Sequence, residues 1–168
     1  MVNLFEKVPV DVAIWRVGHL HRHLVTLRLE SLGLYRGQHR LISRLGDTDG
    51  LTHSDLAESL RISNATVSKM VQRMEQNGFV ERRQDAHDQR ISRVFLTQKG
   101  KDIHQQMDAM FVQLQVDELD GFSQEETDQL LTLLNRLSEN FQKYLPDHDH
   151  KKQKHRKQHS IKTMEKHE

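Results

Sequence analysis

Apolar residues recur every three or four positions along three long stretches of this chain, a spacing that predicts amphipathic helices. One stretch covers residues 10–30, and the other two follow each other within residues 98–145. Ser123 and Glu126 form a capping-box pattern, which predicts where the last helix begins, and Pro146 is expected to end it. Three such helices have more apolar surface than one small domain can cover, so we expect them to pack against a second copy of the chain.

Two shorter helices are predicted between these stretches. Thr52 is the predicted N-cap of the first, and Ser63 is the predicted N-cap of the second, which runs over Asn64–Asn77 and ends at Gly78. The residues of the second helix that are expected to face inward are Val67, Met70, Val71 and Met74. Together the two helices form a helix-turn-helix pattern.

A polar tip at residues 84–90 is flanked by apolar residues, which predicts a two-stranded β-hairpin over Phe79–Thr97. In this tip, the Asp88-x-Arg90 spacing would let a carboxylate hold a guanidinium extended, and an extended Arg can enter the minor groove of DNA. A surface ion pair is the alternative interpretation of the spacing. The predicted fold is mainly α with a small β-hairpin wing, a winged helix-turn-helix.

The outward face of the second short helix favours DNA binding. Its amide, hydroxyl and cationic groups suit base edges and phosphates, and they belong to Asn64, Thr66, Ser68, Lys69, Gln72 and Arg73. Most exposed helix faces contact only solvent, but this face has Glu75 as its only acid and precedes a basic hairpin. We therefore predict that double-stranded DNA is a partner.

These patterns resemble the MarR-type winged helix-turn-helix transcription regulators over roughly residues 10–145. The motifs that carry the resemblance are Leu56-Ala57-Glu58, Ile62-Ser63-x-Ala65-Thr66-Val67-Ser68-Lys69, Asn77-Gly78-Phe79-Val80-Glu81-Arg82 and, most specifically, Asp88-x-Arg90-x-x-x-Val94-x-Leu96-Thr97-x-x-Gly100. Arg61 departs from the family pattern, which has Gly at this helix turn. We expect Arg61 either to adopt a left-handed conformation or to use another C-cap.

The resemblance implies a homodimer in which the N- and C-terminal helices intertwine. Two recognition helices would then enter successive major grooves of an inverted-repeat operator. The resemblance also favours repression. Residues 1–146 would form a single MarR-like domain, with the winged helix-turn-helix at 36–97 between dimerisation helices at 10–30 and 98–145.

DNA contacts are assigned by position. The candidates for base edges, near the N-terminus of the recognition helix, are Asn64, Ser68 and Lys69. The candidates for phosphates, where a cap hydroxyl, a helix N-terminus and an Arg fork favour anions, are Ser63, Thr66 and Arg73. In the hairpin, Arg82 and Arg83 are expected along the DNA backbone, and Arg90, oriented by Asp88, in the minor groove.

The net charge of +1 at pH 7 hides an uneven distribution. Residues 60–100 carry eight Lys or Arg and four Asp or Glu, whereas residues 101–146 carry three and nine. A basic segment beside an acidic one is expected of a nucleic-acid-binding protein. The chain has no Cys, which excludes disulfides and thiol-based sensing. Apolar runs such as Val12–Trp15 are too short for a membrane span or signal peptide, so we expect a cytoplasmic protein.

Histidines raise the question of a ligand. Five of the 12 lie in residues 147–168, a Lys/His-rich tail that we expect to be disordered and that could bind metal loosely or attract DNA weakly. In the first helix, His19 and His23 are one turn apart, where two imidazoles could share an ion, and His39 and His104 could approach them.

Three interpretations of the helix histidines stay open: side chains with no ligand role, a metal site, or a pocket for a small anion. The resemblance implies the pocket, because the family's effectors, often phenolic carboxylates, commonly lie between the dimer helices and the DNA-binding region. The residues assigned to this effector pocket are Trp15, Arg16, His19, Tyr35 and His39. No cofactor is expected.

Two other classes of protein are alternatives to a regulator. An enzyme is not expected, because the sequence has no Gly-rich phosphate loop, no G-x-S-x-G or H-E-x-x-H motif and no cysteine nucleophile. An architectural DNA binder is the more serious alternative, because basic segments bind any duplex through counterion release. A regulator should prefer its specific site over random DNA by about a thousandfold or more.

Overall fold

The computed structural model describes residues 7–35, 37–86 and 88–145. Their elements, in chain order, are α1 (Pro9–Ser31), α2 (Gln38–Asp47), β1 (Leu51–Thr52), α3 (His53–Leu60), α4 (Asn64–Gln76), β2 (Val80–Gln84), β3 (Ser92–Leu96), α5 (Gln98–Glu118) and α6 (Gln124–Gln142). The predicted mainly helical fold with a small β wing is confirmed. The chain divides into two compact units between Glu118 and Leu119. The expectation that both belong to one domain stays a prediction, and the predicted tail at 147–168 lies outside the described residues.

Local capping contacts fix the two helices of the helix-turn-helix. The Thr52 hydroxyl accepts from the Asp55 backbone N–H at 3.2 Å, and the Asp55 carboxylate accepts from the Thr52 backbone N–H at 3.0 Å. These reciprocal bonds satisfy donors that would otherwise be unpaired at the start of α3. Ser63 caps α4 with a single bond, in which its hydroxyl accepts from the Thr66 backbone N–H at 3.2 Å. Both predicted N-caps are confirmed.

The turn between α3 and α4 is made by Arg61 in a left-handed conformation, at φ 59° and ψ 50°. This is the first of the two geometries that its departure from the family pattern allows. A Cβ in this region is crowded by the neighbouring carbonyl, which costs about 1 kcal/mol or more relative to glycine. The helices keep the turn because their apolar sides are buried together: Leu56, Val67 and Val71 are each fully buried.

The wing is part of a three-stranded antiparallel sheet in the order β1-β3-β2. β2 and β3 pair from Val80 with Leu96 to Gln84 with Ser92, as the hairpin prediction requires. β1, which was not predicted, pairs Leu51 with Val94 and so places β3 at the centre of the sheet. We call residues 85–91, between β2 and β3, the wing tip.

The base of the wing is joined closely to α5. The Thr97 hydroxyl donates to the Gly78 carbonyl at 2.6 Å and accepts from the Gly100 backbone N–H at 3.0 Å. Gly100 is buried, and a Cβ at this position would overlap the carbonyl oxygen of Phe79. Only glycine therefore allows this close approach of helix and hairpin.

The long helices leave apolar surface exposed. In the first unit, α1 exposes Val17 at 63%, and α5 exposes Val112 at 68%. In the second unit, α6 begins with the predicted capping box, in which the Ser123 backbone N–H donates to Glu126 at 2.8 Å. No residue of α6 is buried, and its apolar side chains Leu133, Leu134 and Phe141 are each exposed by about half. α6 ends at Gln142, while Pro146, its predicted end, lies outside the described residues.

Candidate nucleic-acid interface

α4 separates its side chains into a buried face and an exposed polar face. Val67, Val71 and Met74 are fully buried, and Met70 is half-buried. The residues on the opposite face, all exposed, are Asn64, Thr66, Ser68, Lys69, Gln72 and Arg73. The structure thus exposes every candidate for base and phosphate contacts that lies on this helix.

The N-terminus of α4 places two hydroxyls together. The Ser63 and Thr66 side-chain oxygens are 2.9 Å apart, and both side chains are exposed. Backbone N–H groups at a helix N-terminus carry partial positive charge, and hydroxyls can donate to an anion. The arrangement is suited to a phosphate oxygen, as the sequence suggested for both residues.

Arg82, predicted to lie along DNA, pairs with the one acid of the α4 face. Its Nε donates to one oxygen of Glu75 at 3.2 Å, and its Nη2 donates to the other at 2.6 Å. This contact lowers the pKa of the Glu75 carboxyl and raises the pKa of Arg82. The Arg82–Glu75 pair was not predicted from the sequence, although Glu75 and Arg82 are only seven positions apart, on either side of the turn at Gly78. The pair neutralises Glu75 and links the end of α4 to β2.

His53, the first residue of α3, belongs to the same region. Burial lowers its pKa first, and the positive charge of Arg82 lowers it further, while Glu75 has a smaller opposing effect. Because a protonated imidazole is disfavoured there, His53 is held neutral near pH 7.

Arg83 is held against the surface of the wing. Its Nη2 donates to Glu81, and its guanidinium carbon lies 4.8 Å above the centre of the Phe95 ring. Both contacts leave the side chain exposed. Arg83 therefore presents a positive charge whose position is restrained by a carboxylate and an aromatic face.

The expected contact between Asp88 and Arg90 takes a different form. Asp88 Oδ1 accepts from the backbone N–H of Arg90 at 2.9 Å, not from its guanidinium, and the Asp88 carbonyl accepts from the Ile91 N–H at 2.9 Å. The tip is a tight turn, so the nearest donor to the carboxylate is the backbone two residues ahead. Asp88 thus shapes the turn that displays Arg90, whose side chain is exposed.

The residues assigned to an effector pocket lie on α1, in the turn after it and on α2. Trp15 stacks on His19 one turn along α1, with ring centres 5.5 Å apart and planes 12° from parallel. Tyr35 is exposed by 63%, and burial lowers the pKa of the half-buried His39, with a further contribution from Arg40. Arg16, also on α1, is exposed. None of these five lines a cavity of about 370 Å³ in the first unit, whose walls are Leu45, Gly46, Asp49, Leu96, Lys101, His104 and Gln105.

The histidines considered as metal ligands are not gathered into one site. Across the described ranges, no group of three His, Cys, Asp or Glu side chains is arranged to hold an ion. His104 Nδ1 lies 3.8 Å from Asp108 on its own helix, and the His104 ring packs against Gly46. His19 stacks on Trp15, and His23 is exposed.

In the part of the chain that is described, no helix is both long and apolar enough to cross a bilayer.

The sequence is similar to those of known transcriptional regulators. Residues 34–92 match the model of the MarR family. The chain is 26% identical over 117 residues to the uncharacterized HTH-type transcriptional regulator YybA of Bacillus subtilis, across 70% of this chain and 78% of YybA. It is 27% identical over 117 residues to the HTH-type transcriptional regulator BilQ of Clostridium symbiosum, across 70% of this chain and 81% of BilQ.

Comparison with solved structures gives the same fold. The MepR–DNA complex of Staphylococcus aureus contains a chain that superposes with a TM-score of 0.66 and 22% identity, across 78% of this chain and 98% of that chain. The agreement extends the likeness beyond residues 34–92 to the flanking helices.

Proposed function

Because the chain belongs to the MarR family of winged helix-turn-helix transcriptional regulators, we propose that it binds an inverted-repeat operator as a homodimer and represses transcription. We further propose that a small phenolic or anionic ligand changes this binding. The observation that carries the proposal is the exposed polar face of α4, which lies between a hydroxyl-rich N-terminus and the wing.

Sequence-specific contact is supported by the chemistry of this face. Asn64, Ser68 and Lys69 offer an amide, a hydroxyl and an ammonium, which are groups that distinguish bases in the major groove. Arg73 adds an exposed cation for a phosphate, and Arg82 neutralises the acid that would repel the DNA backbone. The four residues Ser63, Thr66, Arg83 and Arg90 complete the proposed contact surface along phosphates and in the minor groove.

Dimerisation is supported by the apolar surface that a single chain leaves exposed. Leu20 and Leu27 on α1 are exposed by 58% and 49%, and Val116 on α5 by 60%. Burying such side chains releases about 25 cal/mol for each Å² of apolar surface removed from water, which favours a partner of the same kind. Sedimentation at micromolar concentration would detect the dimer, and a monomer there would contradict this part of the proposal.

The experiment that tests DNA reading is selection of bound sequences from random duplexes by the full-length protein at about 150 mM salt, where diffuse attraction is screened beyond roughly 8 Å. We expect a palindrome whose half-sites are about one helical turn apart. Absence of any enriched sequence would contradict the proposal and favour the architectural DNA binder. The selected duplex is the probe in the experiments below.

Ligand control is supported by the aromatic stack of Trp15 on His19 on α1 and by the half-buried imidazole of His39 on α2. A ligand can shift DNA binding only if it binds one arrangement of the dimer better than another. Salicylate would be titrated into the complex with the selected duplex, with Trp15→Leu as the matched variant. Release of DNA that the variant does not show is expected, and equal release from both would contradict the assigned pocket.

A further inference from the structure

Arg90 lies in a turn that is anchored to the rest of the protein by a continuous series of polar contacts. We propose that Asp85 and Arg93 are positioning residues, which hold the wing tip so that Arg90 points into the minor groove. The inference rests on the proposed DNA-binding function, and it assigns a role in that function to two residues that the sequence analysis did not select.

The first part of the series joins Arg93, on the central strand β3, to the turn before β1. Arg93 Nη1 donates to the carbonyl of Gly50 at 3.0 Å. That turn is itself fixed, because Asp49 Oδ1 accepts from the backbone N–H groups of Gly50 at 3.1 Å and Leu96 at 3.0 Å. One side of the Arg93 guanidinium is therefore attached to the body of the sheet.

The second part joins Arg93 to the start of the wing tip. Arg93 Nε donates to Asp85 Oδ2. The Asp85 side chain is only 11% exposed, in contrast to the carboxylates of Glu75 and Glu81, which are 34% and 43% exposed. Charge-assisted hydrogen bonds weaken with exposure to water, so the Arg93–Asp85 pair restrains its partners more than the Arg82–Glu75 and Arg83–Glu81 pairs do.

The third part carries the restraint to Arg90. Asp85 Oδ1 accepts from the Asp88 backbone N–H at 3.1 Å, and the Asp85 N–H donates to the Ile91 carbonyl at 2.9 Å. Asp88 Oδ1 in turn accepts from the Arg90 N–H at 2.9 Å. The Asp85 carboxylate therefore fixes the backbone of Asp88, and the Asp88 carboxylate fixes the backbone of Arg90. Arg90 is the residue proposed to enter the groove.

Such a series matters because most of the described residues of the wing tip are exposed, and polar contacts must then order them. Ala86, Asp88, Gln89 and Arg90 are all exposed. A turn that is ordered before binding loses less conformational entropy when Arg90 docks, so affinity for the specific site increases. The charge of Arg90 alone, without this order, would still attract any duplex.

The test compares Asp85→Asn with Glu81→Gln, two acid-to-amide changes on the same hairpin. Both remove one negative charge near DNA, so electrostatics alone predicts tighter binding for both. If Asp85 positions the wing tip, Asp85→Asn has the opposite effect, and affinity for the selected duplex falls about threefold to tenfold. This is the scale of the entropy lost when one long side chain is ordered. Affinity for a random duplex does not fall. Arg93→Lys, which keeps the charge, should weaken specific binding in the same direction.

Repeating the measurements in an Arg90→Ala background separates positioning from general damage to the fold. If Asp85 and Arg93 act through Arg90, their substitutions change affinity by less than about twofold there. Equal losses in both backgrounds, or tighter specific binding by Asp85→Asn, would overturn the inference. If Arg90→Ala itself has no effect, both the groove contact and its positioning are wrong, although DNA binding stands. If the unaltered protein selects no sequence, the proposed function fails first.

Discussion

Arg82 on β2 makes two hydrogen bonds to the carboxylate of Glu75 on α4, with Nε and Nη2 donating to separate oxygens at 3.2 and 2.6 Å. Two elements that meet DNA in the proposed complex are thereby joined by an ion pair on the surface that DNA would approach. The pair withholds one cation from phosphates and also neutralises one acid. Its effect on binding can therefore be measured by removing the acid alone.

Glu75→Gln is expected to increase affinity for DNA. The change frees Arg82 for a phosphate and removes a negative charge, so binding should tighten by up to about fivefold, and the slope of log affinity against log salt should steepen by about one. Fluorescence anisotropy over a salt series measures both. Glu125→Gln, on α6, makes the same change in net charge and should alter neither quantity by as much. Weaker binding by Glu75→Gln would instead mean that the pair is needed to orient the wing.

Arg90→Ala is expected to weaken binding of the selected duplex by about fivefold to 150-fold, which corresponds to the 1–3 kcal/mol of one groove contact. The loss should shrink when A·T pairs beneath the wing are replaced by G·C pairs, because the narrow A·T groove attracts Arg most strongly. Gln89→Ala, at the exposed neighbouring position, is the matched control. Equal losses for the two variants would contradict insertion of Arg90.

Gly100→Ala is expected to destabilise the protein. The added methyl group overlaps the Phe79 carbonyl, so α5 must move away from the wing, at a cost of about 1–3 kcal/mol. Urea unfolding measures the change. Gly18→Ala, in α1, is the control, because its Cβ would meet only the end of the Arg22 side chain at 3.4 Å. A midpoint that moves equally for both variants would mean that the close approach at Gly100 is unimportant.

Arg61→Gly is expected to stabilise the helix-turn-helix. Glycine adopts the left-handed conformation without the Cβ crowding that arginine suffers, a gain of roughly 1 kcal/mol before the entropy of the more flexible unfolded chain is counted. Arg61→Ala removes the same charged side chain but keeps the Cβ, so it should not raise the thermal midpoint. A gain for both variants would attribute the effect to charge.

Stability is expected to fall as pH decreases through the histidine range. Burial lowers the pKa of His39 and His53 in the folded protein below the ordinary value of 6.5. The unfolded chain therefore binds more protons just below pH 6.5, and the free energy of unfolding decreases there until the folded histidines are also protonated. Urea midpoints at about pH 7.5 and about pH 5.5 measure this, both above the ordinary carboxyl range. His39→Gln combined with His53→Gln should reduce the difference between the two urea midpoints. An unchanged difference would contradict the assignment of the pH dependence to these two histidines.

Sequence reasoning succeeded where structure is set locally. Thr52, Ser63 and Ser123 were predicted as N-caps because a cap contacts residues only two or three positions ahead, and all three accept the expected bonds. The inward residues of α4 were predicted for the same reason, since one helical period determines them. The left-handed conformation of Arg61 is one of the two geometries expected from its departure from the family pattern.

What the sequence did not predict depends on contacts between distant residues. β1 has only two residues, too few for an alternating pattern, and it exists because Leu51 pairs with Val94. Arg93 was not selected because its contacts, Asp85 and Gly50, are eight and 43 positions away. Helical spacing grouped only His19 and His23, and the approach of His39 and His104 depended on how α2 and α5 pack. In the structure, His39 lies beside Arg40 and His104 lies near Asp108.

The order of the strands has a consequence for solubility. Since β3 is central, β2 is an edge of the described sheet, and the outer backbone groups of Val80–Gln84 could pair with a strand from another molecule. Charged side chains at Glu81, Arg82 and Arg83 oppose such pairing, as edge charges do in many β-proteins. The arginines considered for DNA therefore also act against aggregation, and replacing them with apolar residues would favour fibrous or amorphous self-association of an otherwise folded protein.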